Sequence, residues 1–146
     1  MDLGCPLVEG YPLSTYIAKT VKIYDDAKVS GNALVGGHAK VYGNAIVCDN
    51  AKVTGNAEVS GHARILNNAQ VTGHVVVSGK AQVYDNAQVT GHAVVEGHAK
   101  VYDNALISGN AHVDGIAYVH GHIILEGDVN ISSGYIWNVH WWRDMP

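Results

Sequence analysis

Phenylalanine is absent from this chain of 146 residues, and cysteine, methionine and proline are scarce, with two, two and three copies. A broad globular interior relies on large aromatic side chains. With valine and alanine supplying most of the apolar content instead, a narrow column stabilised by stacking is expected. Two cysteines, Cys5 and Cys48, are too few for a disulfide framework. Cys48 follows Val47 and points outward in an extended strand, so both thiols are expected to be free. No apolar run approaches the roughly 18 residues that span a bilayer, and no charged-then-apolar leader opens the chain. A cytoplasmic protein with no membrane partner is expected. Charge is sparse as well: 15% of residues are charged and the net charge is −4, which argues against a nucleic-acid partner.

What fills the chain is a six-residue unit, Val-x-Gly-Asn-Ala-x, repeated nineteen times from Ile23 to Ile136 without insertion or deletion. Its first place is always Val, Ile or Leu, and its fifth is Ala in fifteen of the first sixteen copies, Val75 being the exception. A helix of 3.6 residues per turn would scatter positions six apart around its surface, whereas short strands divided by tight turns use them well. Ala and Val stand two apart, as in Ala81 and Val83, so both face one side of an extended chain. That side is the inside. The flanking places, such as Gln82 and Tyr84, vary among polar residues and read as the outside. The third and fourth places are turn residues, drawn from Gly, Asp, Asn and His, which tolerate positive φ.

Sorting every third unit together exposes a longer period. One class carries Asn32, Asn50, Asn68, Asn86 and Asn104 at the fourth place, with Asp49, Asn67, Asp85 and Asp103 before the last four. Another has glycine at the third place in all six copies, from Gly37 to Gly127. The true repeat is therefore three units long, with three strands and three corners. This predicts an all-β, single-domain, triangular parallel β-helix of about six coils, roughly 30 Å tall at about 4.8 Å per strand. Residues 1–22 and 137–146 are expected to cap residues 23–136, with Tyr135, Trp137, Trp141 and Trp142 closing the column or sealing a subunit interface. The Asn ladder is read as a stacking device for stability rather than, with Asp49, Asp85 and Asp103, a calcium site.

Val83-Tyr84-Asp85-Asn86-Ala87-Gln88 and its relatives resemble the hexapeptide repeat of left-handed β-helix proteins, a superfamily of acyltransferases, sugar-nucleotide enzymes and zinc-dependent carbonic anhydrases. The closest texture is that of uncharacterised bacterial and phage acyltransferase-like proteins rich in Gly-Asn-Ala units. The resemblance, over about four-fifths of the chain, implies a left-handed coil and a homotrimer.

The family's catalytic patterns fit poorly. Its carbonic anhydrases space two zinc histidines two coils apart with a third five residues on. His38/His74 and His62/His98 meet the first condition, but Gly79 and Asp103 stand at the third position. His74 and His92, one coil apart, lack an evident third ligand, and no metal site is expected. Fourth-place His38, His62, His74, His92 and His98 are read as residues tolerating the corner conformation. Asn110-Ala111-His112-Val113-Asp114-Gly115 resembles the acyltransferase stretch, yet Gly115 replaces the general base. His98, His120 or His122 could serve as a base only with help from a neighbouring subunit.

One stripe stands out. With three units to each coil, His62, Lys80 and His98 share a corner; Arg64, Gln82 and Lys100 lie two places on, and Tyr84 and Tyr102 two beyond. Lys and Arg pair with phosphate, and Tyr offers a stacking face and a hydroxyl. The ligand-binding set predicted here is His62, Arg64, Lys80, Tyr84, His98, Lys100 and Tyr102. The expected function is a non-catalytic homotrimer binding a small nucleotide-like or CoA-like anion in inter-subunit clefts, with no required cofactor. The alternatives are an acyltransferase using acetyl-CoA or another acyl-CoA, and an assembly module with a protein partner on the Thr54, Thr72 and Thr90 face.

Overall fold

The computed structural model describes residues 15–137 and the backbone at 140–141. The chain winds as a parallel β-solenoid of three sheets built from very short strands. Sheet 1 stacks eight strands from Tyr16–Ile17 to His140–Trp141. Sheet 2 stacks seven from Lys22–Ile23 to Asn130–Ile131, and sheet 3 seven from Lys28–Val29 to Tyr135–Trp137. Each strand pairs with the one three units away, and residues eighteen apart lie in register, as Gln82↔Lys100 and Val83↔Val101. The stack holds about seven coils rather than six, because parallel pairing begins at Tyr16, ahead of the first recognisable unit. Among the described residues no helix is long and apolar enough to cross a membrane.

From Ala33 to Leu125 every first-place and fifth-place side chain is fully buried, and no polar side chain among the described residues joins them. The two inward residues of each unit come from opposite sides of a corner, so a small Ala is what lets three walls meet around the larger Val. Backbone amides complete the structure between coils. Gln82, Tyr84 and Asn86 N–H groups donate to the carbonyls of Ala99, Val101 and Asp103 at 3.0, 3.0 and 2.8 Å. Each strand thus satisfies its polar backbone on the coils above and below.

Corners are turned by one residue in the left-handed region, and it stands at the third place. Asp25, Asp49, Asn67, Asp85 and Asp103 take φ of 57 to 60°, and glycine serves in nearly all the other units. The fourth-place histidines are not among the positive-φ residues. Their supposed tolerance of that conformation is therefore not what selects them. A hydrogen-bonded ladder runs through the third place, beside the fourth-place asparagines. Asp49, Asn67, Asp85 and Asp103 each turn a side-chain oxygen to the backbone N–H one coil on, at 3.1 to 3.3 Å. A short carboxylate, or the side-chain amide of Asn67, reaches the next backbone N–H directly from this conformation.

The repeat is uninterrupted only as far as Ile131. Beyond it Tyr118 pairs with Tyr135, and Ile124 with His140, so the register runs first one and then two places short of the earlier coils. One residue is missing in Ser132-Ser133-Gly134, where Gly134, at φ 93°, takes the corner and Ile136 the inward place of the next strand. Tyr135 and Trp137 lie 68% and 58% exposed; the side chains of Trp141 and Trp142 fall outside the described residues. Cys48 departs from expectation too. It is fully buried and disulfide-bonded rather than a free outward thiol. Leu66, one coil on, is also buried at 4%, so this strip beside sheet 3 is covered surface that strand alternation alone would have placed in solvent. Cys5 and most of the expected caps lie outside the described residues.

Candidate functional site

The outer face of sheet 3 carries one ladder: Lys28, Ile46, Arg64, Gln82, Lys100, Tyr118 and Tyr135 stand one above another. On one flank is the corner of His62, Lys80 and His98, whose backbones are joined coil to coil (His62 N–H to Gly79 O at 2.6 Å, Lys80 N–H to Gly97 O at 2.7 Å). On the other flank Tyr84, Tyr102 and His120 stack ring on ring. Tyr84 and Tyr102 are 5.0 Å apart and 2° from parallel; Tyr102 and His120 are 4.8 Å apart at 6°. All three are second-place residues one coil apart, so strand spacing sets the stacking distance.

Two adjoining grooves take in part of this set. His62, Arg64, Lys80 and Gln82 line a shallow groove of about 440 Å³. Below it, Asp26, Lys28, Asn44, Ile46, His62 and Arg64 line a second of about 460 Å³. The two share His62 and Arg64. Lys100 reaches elsewhere, its Nζ lying 5.4 Å from the centre of the Tyr118 ring. His98, Tyr84 and Tyr102 line neither groove. Of the predicted ligand set, these two grooves bring together His62, Arg64 and Lys80, and they add Lys28. Lys28 was legible in principle, since it stands two coils before Arg64.

Charge in the double groove is predominantly positive, with Lys28, Arg64 and Lys80 against Asp26. Among the described residues none of the three cations is held in an ion pair. Gln82, between Arg64 and Lys100, holds a buried Oε1 without a hydrogen-bond donor among the described residues. An unsatisfied acceptor of this kind costs about 1–3 kcal/mol. On the far flank, burial pushes the Tyr84 hydroxyl up to about 12, helped by Tyr102, Asp85 and Asp103. Tyr102 is raised for the same first reason, burial, with Asp103 next. Both phenols stay protonated donors near neutral pH.

Candidate bases divide similarly. His98 sits at the Lys80 corner, whereas His120 and His122 stand at the other end of the sheet 3 strands. His120 alone among them faces an acid, its Nδ1 3.5 Å from Asp103 Oδ2, with its side chain 23% exposed. Asp103 is thereby placed away from His62 and His98, and it supplies no third ligand to them. His74 and His92 do stack, at 5.0 Å and 4°. Among the described residues no third ligating side chain joins that pair.

A family model described as the YdcK beta-solenoid repeat matches residues 81–97 and 99–115. The matched segments run from Ala81 to Gly115 and include Lys100 and Tyr102 of the sheet 3 face. They agree with the repeat β-solenoid seen in the structure and cover under half of the chain. No curated protein and no solved structure matches this chain.

Proposed function

We propose that this chain is a non-catalytic, left-handed β-helix protein that assembles as a homotrimer and holds a small phosphate-bearing anion, nucleotide-like or CoA-like, beside sheet 3. One observation carries the reading: Lys28, Arg64 and Lys80 line two adjoining grooves with His62 and have no ion-pair partner among the described residues. Cations in this arrangement are available to phosphate oxygens, and Arg64 can bind two at once. Two or three charge-assisted bonds of about 1.5–3 kcal/mol each, against the cost of association, correspond to weak to micromolar binding. The exposed Ile116, Tyr135 and Trp137 on the same side of the coil suit an interface that would wall the open grooves. A disulfide at Cys48 favours an oxidising compartment over the cytoplasm.

The test is calorimetry of a nucleotide and coenzyme A panel with sedimentation in parallel. The expected results are a mass three times the 15.5 kDa of the chain and at least tenfold weaker binding in Arg64→Ala/Lys80→Ala. Absence of binding across the panel, or undiminished binding in that double variant, overturns the ligand reading; a monomer overturns the inter-subunit cleft.

A second reading, acyl transfer from acyl-CoA, is favoured by Asp103 beside His120 Nδ1, since a carboxylate there orients the imidazole and leaves Nε2 to take a proton. Acetyl-CoA turnover that disappears in His120→Ala would support it. Its absence from the native protein leaves the binding reading in place.

A further inference from the structure

Away from sheet 3, the described residues bring one group of metal-ligating side chains together. His112 faces outward from sheet 2, Asp114 follows the same strand, and Glu96 holds the place of Asp114 one coil earlier. One ligand atom from each lies within 4.8 Å of the other two. His112 Nε2 stands 2.8 Å from Glu96 Oε1 and 3.6 Å from Asp114 Oδ2, and all three residues are half-buried.

The pair of acids is out of character for its column, where the equivalent residues in the coils on either side are Ser60, Ser78 and Ser132. Two like charges one strand spacing apart repel by about 1 kcal/mol in water and about 3–4 kcal/mol at a surface-like effective dielectric. Elsewhere the fold offsets such stacking. Asp85 and Asp103 each accept a backbone N–H from the next coil. Among the described residues no backbone N–H turns to Glu96 or Asp114, and the donor they meet is the His112 ring. One Nε2–H completes one hydrogen bond, and the second carboxylate is left 0.8 Å further off (3.6 against 2.8 Å). A dication seated among the three would neutralise both acids and use the imidazole lone pair.

We propose that Glu96, His112 and Asp114 form a binding site for one first-row divalent transition-metal ion per chain, with Zn²⁺ as the representative. Imidazole together with carboxylates suits such ions, whereas calcium takes six to eight oxygens. Tetrahedral zinc ligands at about 2.0–2.1 Å from the metal lie about 3.4 Å apart. The two separations from His112 bracket that figure, and the third lies within 4.8 Å, so the three donors are already grouped on the scale of one ion. Three protein donors on a half-exposed face leave the fourth position to water or another exchangeable ligand. Because the donors come from two coils, the ion also ties one coil to the next.

The experiment is calorimetric titration of chelator-treated protein with ZnCl₂, with Co²⁺ absorption as the reporter of a tetrahedral nitrogen and oxygen site. One ion per chain is expected, with at least 30-fold weaker binding in His112→Ala and in Glu96→Gln/Asp114→Asn. The latter pair is isosteric and relieves repulsion, so it retains the fold, and a thermal melt verifies this. His74→Ala/His92→Ala serves as the control for the other stacked imidazoles and leaves binding unchanged. The proposal is overturned if the native protein binds no Zn²⁺, if Glu96→Gln/Asp114→Asn binds as tightly as the native protein, or if binding is lost in the His74/His92 control.

Discussion

Replacing Gly109 by Ala should open the solenoid at one corner. Gly109 has φ +67°, and an added Cβ would sit 2.5 Å from Gly127 N and 3.0 Å from its Cα, both backbone atoms. Left-handed geometry costs an alanine about 1–2 kcal/mol. Restoring an ordinary contact of about 3.4 Å requires the coils to part by about 0.9 Å there. Asn110 N–H donates to Gly127 O at 2.9 Å, so that parting stretches it to about 3.8 Å, beyond hydrogen-bond reach. Its loss adds about 0.5–1.5 kcal/mol, while the stiffer unfolded chain returns about 0.4–1 kcal/mol. The net destabilisation is about 0.5–3 kcal/mol. Gly134→Ala supplies the comparison, because Gly134 has φ +93° with nothing within 4 Å of an added Cβ. It carries the conformational strain without the clash. Urea unfolding followed by circular dichroism should rank Gly109→Ala as less stable than Gly134→Ala. Equal losses in the two, or a Gly109→Ala change no larger than an ordinary surface substitution gives, would refute the coil-to-coil clash as the reason this class of corner is glycine throughout.

Two further outcomes are expected. The Tyr84 hydroxyl is raised to about 12 in the folded chain and ionises near 10 when unfolded, so the native state holds that proton more tightly. Its contribution to stability is whole below about pH 10 and is lost as pH rises toward about 12; Tyr84→Phe should flatten part of the decline in urea midpoint between about pH 9 and pH 11.5. Cys48, disulfide-bonded in the fold, should resist iodoacetamide in denatured, unreduced protein and alkylate after reduction, as read by peptide mass mapping; labelling before reduction would contradict the bond.

Much of the architecture could be read from spacing. Val83 and Val101 had to pair because every first-place aliphatic recurs three units on and the inward face admits no other phase. The same arithmetic put Arg64, Gln82 and Lys100 in one ladder. It could not tell that Asp85, and not Asn86, holds the left-handed corner, since both residue types tolerate positive φ. Nor did it show the residue lost after Ile131, because Ile136 continues the apolar pattern while Gly134 absorbs the deletion. The Glu96, His112 and Asp114 group was hidden for another reason. Glu96 and His112 are sixteen apart and occupy different places in the unit, a diagonal relation that the coil period does not reveal.

The sequence by itself determined the coil length, the buried Val and Ala column and which outward residues share a ladder, because hydrogen bonding between parallel coils repeats with the chain and leaves little freedom in where each Cα falls. Tertiary structure alone decided which long side chains meet across neighbouring ladders: Lys100 turning to Tyr118, Lys28 joining Arg64 along the grooves, His112 lying between two carboxylates. Those meetings depend on side-chain rotation and on lateral spacing around a corner, and neither quantity is periodic in the sequence.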